Sequence, residues 1–165
     1  MKICRLIPIL MLTTVSCQTK PLPAAPKTDM EMVQGEWVLA RFKTDPTAKG
    51  TLSLKPDSTF AGIMDSEKSK AAGKQPKDNT FSGRFALSRR SMDGESILFI
   101  DFTITTLSRK PAGSGMGLRL SYDPKNNILA DLLMMCYARP SEVNKVKKLL
   151  EDSRRAAEVR RGPGK

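Results

Sequence analysis

The chain contains no histidine, three cysteines and a single tryptophan in 165 residues. Without histidine there is no side chain poised to act as a general base near neutral pH and no imidazole for a metal. Ser/His/Asp triads, Cys/His dyads and His-ligated zinc are therefore excluded. Cysteine is too sparse for a disulfide framework: Cys4 and Cys17 fall near the N-terminus, which leaves Cys136 without an intramolecular partner. Aromatic side chains number six Phe, two Tyr and the one Trp, a thin supply for a large ligand-gripping cavity. The length leaves room for one domain with one core, plus tails.

Positive charge, by contrast, is abundant, with a formal net charge of +11. It is unevenly spread, since residues 141–165 carry as much excess charge as all of residues 30–140. Clustered Lys and Arg gain by displacing counterions from an anionic neighbour such as a headgroup surface, a cell-wall polymer or a nucleic acid. An export signal at the N-terminus sets nucleic acid aside. Met1–Arg5 supplies Lys2 and Arg5, Leu6–Val15 is a short apolar run interrupted by Pro8, and Ser16 closes the segment. That run is about half the roughly 20 residues a membrane-spanning helix needs, so residues 1–16 read as a removable signal peptide.

Thr14-Val15-Ser16-Cys17 resembles the lipobox of bacterial lipoproteins, with Thr14 where an aliphatic residue is usual. The resemblance implies that Cys17 becomes the acylated first residue of the mature chain, a palmitate-type lipid anchor on the membrane. Gln18 after the cysteine, by similarity to enterobacterial lipoproteins, favours the periplasmic face of the outer membrane. Residues 17–32 then form a tether. Pro21, Pro23 and Pro26 favour an extended backbone of about 3.1 Å per residue, or about 30 Å in all.

From residue 33 to 140 the pattern is strands and turns. Phe81, Gly83, Phe85 and Leu87 alternate with Ser82, Arg84, Ala86 and Ser88, a period of two that turns one face to a core. Leu98, Ile100, Phe102 and Ile104 repeat it, as do Leu118, Leu120 and Tyr122. Glu36–Lys43 begins the series, with shorter candidates at 51–55 and 59–64. One last strand, bent within itself, is expected over 127–139. Pro56-Asp57-Ser58, Asp93-Gly94 and Asp123-Pro124-Lys125-Asn126 carry turn chemistry.

About seven strands joined mostly by hairpins predict a mainly β fold, a small antiparallel meander that loses its edges by closing into a barrel. Two connections are longer, the Lys-rich 65–79 and the Gly-rich 110–117. After Pro140 the period becomes helical. Val143, Val146, Leu149, Leu150, Ser153, Ala156 and Ala157 share a stripe opposite Lys147, Lys148, Arg154 and Arg155. Residues 141–165 thus read as a basic amphipathic helix and tail, docked on the barrel by its stripe or facing an anionic surface or partner.

Gly35-Glu36-Trp37 resembles the Gly-x-Trp signature of the lipocalin and calycin barrels. In that family an Arg late in the barrel packs across the Trp ring, which implies a role for Arg139 and makes Gly35, Trp37 and Arg139 the barrel closure. The segment Leu52–Phe60 and the run Phe81–Leu87 likewise resemble small lipocalin-like domains of bacterial lipoproteins. The likeness covers roughly residues 33–139, although here the helix follows the whole barrel instead of preceding a final strand.

The resemblance implies a small apolar ligand inside the barrel. Candidate lining residues, all on inward faces, are Leu54, Phe60, Phe85, Leu87, Ile100, Phe102, Leu118 and Leu120. Alternatively, these side chains simply fill a narrow barrel. No cofactor or metal is expected: Met134, Met135 and Cys136 offer sulfur, but adjacent strand residues point to opposite faces. Nor does any Ser, Lys or carboxylate spacing suggest catalysis. The expectation is a non-catalytic envelope lipoprotein holding a small apolar molecule. The alternative is an interaction module that meets anionic polymer, a membrane surface or a protein partner through the basic helix and the Lys-rich loop.

Overall fold

The alternating segments do form one antiparallel sheet, and the sheet closes on itself. The computed structural model describes residues 27–71, 73, 79–131 and 135–161. Residues 1–16, expected as a signal, Cys17 and Pro21, Pro23 and Pro26 lie outside the described residues, as do Met134 and, in the Lys-rich connection, residues 72 and 74–78. In chain order come α1 (Asp29–Val33), β1 (Gly35–Phe42), β2 (Lys49–Leu54), β3 (Thr59–Asp65), α2 (Glu67–Ala71) and β4 (Thr80–Met92). There follow β5 (Glu95–Leu107), β6 (Lys110–Pro111), β7 (Gly117–Asp123), β8 (Ile128–Ala130), β9 (Met135–Ala138) and α3 (Val143–Arg161). Consecutive strands pair from β1 to β5, then β5 with β7, β7 with β8 and β8 with β9. The pairing of β9 with β1 completes an eight-stranded barrel, and the two-residue β6 only flanks β5.

The final segment, expected as one bent strand, is two. β8 and β9 run antiparallel, with Ile128 opposite Ala138 and Ala130 opposite Cys136, which raises the count from about seven to eight. Alternation cannot mark β9 because both its faces are covered. Met135 and Tyr137 border the interior, whereas Cys136 and Ala138 lie in a second cluster with Val146. A strand covered on both faces reads as an unbroken apolar run.

The turns behave as their residues dictate. Asp57 Oδ1 accepts from the Thr59 amide at 3.0 Å, and Asp123 Oδ1 accepts from the Lys125 amide at 2.9 Å. Asp93 and Gly94 both take positive φ, 52° and 83°, the mirror-image turn whose twist suits a tight hairpin.

Residues 29–32, expected as the end of the tether, form the short helix α1 together with Val33. Thr28 Oγ1 accepts from the Glu31 amide, and the Glu31 carboxylate accepts from the Thr28 amide at 2.7 Å, a reciprocal capping box. Arg89 on β4 holds Asp29 through a two-pronged ion pair. Inside the barrel, Phe60 meets Phe102 edge-on at 4.9 Å between centroids, and Phe81 and Phe85 extend this chain of rings at 6.1 Å on either side. At the other end of the chain, α3 docks on the outer face through Val146, Val143 and Leu150 against Cys136, Ala138 and Ala40. Its second half is unsupported: residues 151–157 are all exposed, and Leu149 of the expected stripe is also exposed.

Two β-bulges interrupt the ladders. One lies in β1 between Leu39 and Arg41, and the other where Ser82 and Gly83 of β4 face Thr106 and Ile104 of β5. At the second, the strands approach so closely that a Cβ on Gly83 would run into the Thr103 carbonyl oxygen. Gly83→Ala is expected to force the strands apart and lower stability by about 1–3 kcal/mol, read as a reduced urea midpoint at unchanged slope. A midpoint equal to the parent's would show that the approach is not there.

Candidate functional site

The two ends of the barrel are built differently. At the first, β1 begins with Trp37 wholly buried, and the last residues of α1 lie within its reach. The indole Nε1–H donates to the Val33 carbonyl at 2.8 Å. Arg139, just past β9, places its guanidinium carbon 3.9 Å from the centroid of the Trp37 ring. Its Nη1 and Nη2 donate to the carbonyls of Gln34 and Met32 at 2.8 and 2.7 Å. The final carbonyls of a helix have no partner within it, and α1 has no basic residue in its own last turn. Arg139 supplies the cation from more than a hundred residues away.

Burial pulls Arg139 below its ordinary pKa, with the nearby Tyr122 acting in the other direction, but a guanidinium stays charged. Tyr122 also meets the Trp37 ring edge-on at 6.2 Å. Gly35 completes the arrangement with φ of +106°, and a Cβ there would stand 3.0 Å from Arg139 Nη1. The structure thus brings Gly35, Trp37 and Arg139 together as one closure.

At the opposite end the barrel is open. A cavity of about 460 Å³ lies within the mouth, lined on its apolar side by Phe42, Phe81, Ile104, Leu107, Leu118 and Met135. Asp45, Ser66, Asn79, Ser108 and Tyr137 also border it. Asp45 is buried, at 7 % exposed, and its Oδ1 accepts from the Thr47 amide at 3.1 Å and the Thr47 hydroxyl at 2.6 Å. Burial pushes the Tyr137 phenol up to about 12, so it is a neutral hydroxyl at physiological pH. The Asn79 Nδ2 is shielded from solvent and has no hydrogen-bond partner among the described residues. Leaving such a donor unmet costs about 1–3 kcal/mol.

No family model, curated protein or solved structure matches this chain. What the barrel can do rests on its own side chains. Both bulges lie at the open end and change which residues face the mouth. Strict alternation after Trp37 and Leu39 would send Arg41 inward; the β1 bulge instead pairs Arg41 with Cys136 and delivers Phe42, opposite Met135, to the cavity. In β5 the other bulge substitutes Leu107 for Thr106 in the same way. Re-aiming a side chain beside a site is a recognised use of such irregularities.

Of the eight ligand candidates, Leu54, Phe60, Phe85, Ile100, Phe102 and Leu120 are buried in the packed core, and Leu87 lies against it. Leu118 alone among them lines the mouth cavity. All eight belong to the interior cluster, but that interior is filled toward the closed end by the phenyl rings. Sequence reasoning missed Phe42, Leu107, Asp45 and Asn79. Bulges hide the first two from any rule of alternation, and the others are polar residues in connections.

Outside the barrel, a groove of about 360 Å³ between β1 and α3 is rimmed by Arg41, Lys43, Lys147 and Arg154. Cys136 lies beneath that helix, its thiol pushed up to about 11 by burial, and is therefore protonated at neutral pH.

The closure gives a direct test. Arg139→Ala removes a cation over an indole and the partner of two helix-end carbonyls, and should cost about 2–4 kcal/mol in urea unfolding. Arg139→Lys should recover less than half of that, because a point ammonium cannot stack and bond two carbonyls together. If both variants lost under 1 kcal/mol, the closure would be incidental.

Proposed function

We propose that this protein is a lipocalin-like carrier, without catalytic activity, which holds a small apolar molecule in the open mouth of its barrel. Kinship with the lipocalin group is supported by the Gly-x-Trp start of β1, the Arg139 guanidinium over that tryptophan and the closed up-and-down meander. The departure noted above persists, since α3 follows the whole barrel. The observation that carries the functional reading is the mouth cavity. Its volume falls in the range of small-molecule sites, its walls are mostly apolar, and a few polar groups converge on it.

The uncharged fluorophore N-phenyl-1-naphthylamine should gain emission when mixed with the purified chain. Ile104→Trp, which fills the cavity, should abolish that gain while leaving the melting temperature within a few degrees of the parent. Emission unaffected by Ile104→Trp would place the dye elsewhere and remove the reading.

We also propose export and lipid anchoring through Cys17, carried by the charged start, the short apolar run and the Ser16-Cys17 junction. A lipid on Cys17 and a Pro-rich spacer would hold the barrel a few nanometres from a membrane. When the full chain is expressed in a bacterium, Cys17→Ser should shift it from the membrane fraction to the soluble fraction. Mass spectrometry of the parent should find a diacylglyceryl-modified peptide beginning at Cys17, and an unmodified thiol there would end the proposal.

A further inference from the structure

We infer that the groove between β1 and α3 is a binding site for a phosphate group, on the outside of the barrel and separate from the mouth cavity. Its occupation is independent of what the mouth takes up.

The walls of this groove are one-sided in charge. Arg41 and Lys43 line it from the barrel, Lys147 and Arg154 line it from the helix, and Glu151 is the one carboxylate among its lining residues. That carboxylate pairs with Arg155, 3.6 Å away on the same helix and not part of the lining. Among the described residues, Arg41, Lys43 and Lys147 have no ion pair. Like charges held together repel one another, and an anion that joins them removes that cost.

Two features of the fold place these cations. The β1 bulge between Leu39 and Arg41 sets Arg41 opposite Cys136, on the face that α3 covers. On the helix, Val143, Val146 and Leu150 dock against Cys136, Ala138 and Ala40, which fixes the backbone from which Lys147 extends. The rest of the lining, Ala40, Phe42, Pro46 and Leu150, offers no polar side chain, so recognition rests on charge. A carboxylate brings a single negative charge to several cations. A phosphate monoester brings about −1.5 to −2 at neutral pH with three acceptor oxygens, and a guanidinium such as that of Arg41 meets two of them at once. The group is the same whether a free phosphate compound or a lipid headgroup carries it.

Calorimetric titration of the purified chain at fixed ionic strength tests this with three probes: inorganic pyrophosphate, monomeric dihexanoyl phosphatidate and acetate. A phosphate probe should bind on the order of tenfold more tightly than acetate. Binding of both phosphate probes supports a site for free phosphate compounds, and binding of phosphatidate alone supports a site for a lipid headgroup. If neither binds, or acetate binds as well, the inference is overturned. Arg41→Gln and Lys147→Gln, one from each wall, should each weaken binding on the order of tenfold. Lys125→Gln removes the same charge from the exposed turn after β7 and should change binding by no more than about twofold. Equal weakening by Lys125→Gln would mean that net charge alone is sensed, and would overturn the site. Both groove variants should melt within a few degrees of the parent, because neither loses an ion pair of the chain. A fall of several degrees in both would show that these cations already serve the fold, and would overturn the inference. If only Arg41→Gln falls, the binding measured for Lys147→Gln decides.

Discussion

A guanidinium lying 3.9 Å from an indole centroid, in a site largely closed to water, gains roughly 0.5–2 kcal/mol from the ring alone. For Arg139 that attraction is only part of what holds it, since the same group bonds the Met32 and Gln34 carbonyls. Three separate needs converge there: the face of a buried indole, the unpartnered carbonyls of α1 and the junction of the first strand with the last. An up-and-down meander becomes a barrel only if β9 finds β1, and that pairing joins residues about a hundred positions apart. The entropy of closing so long a loop is offset by the β1–β9 ladder and the contacts at its end, and Arg139 concentrates several of those contacts in one side chain.

With one end sealed in this way, the remaining interior is shared between packing and space. The rings of Phe81, Phe60, Phe102 and Phe85 run through the interior and fill most of it, as expected of a barrel with few strands. Open volume lies at the mouth, where both bulges occur. A bulge weakens its ladder, and here each one brings an apolar side chain to the rim, Phe42 in one case and Leu107 in the other. The polar Asn79 and the charged Asp45 sit at that same rim, in the connections and not on the strands. Core packing and open space are thus segregated along the barrel axis.

This segregation also explains what the residues disclosed in advance. Alternation located β4, β5 and β7 and put the right faces inward, because each has one wet side and one dry side. The Gly35-Trp37 start and Arg139 were legible through resemblance, and the geometry joins them. α1 was missed although Thr28 and Glu31 spell a capping box, since five residues after a proline-rich stretch give no periodicity to notice. The eight interior candidates were right about orientation but silent about space. Parity says which side a residue faces; it does not say whether a neighbouring ring already occupies the volume. At the rim, Leu118 was legible from parity, but Phe42 and Leu107 were not, because an inserted residue inverts parity for everything beyond it.

β9 ties these threads together in four residues. Its inner face carries Met135 and Tyr137 to the cavity, its outer face carries Cys136 and Ala138 to α3, and the next residue is Arg139. A strand so placed cannot be solvated on either side, so α3 is needed to cover what β9 would otherwise expose. Only the first half of the helix is used for that. Val146 and its neighbours dock, and residues 151–157 project with their charges unburied. The docking half answers the hydrophobic demand of β9, whereas the projecting half answers no demand of the barrel. Arg154, with Lys147 earlier in the helix, Lys43 and Arg41, which the β1 bulge turns outward, rims a groove on the outside of the barrel.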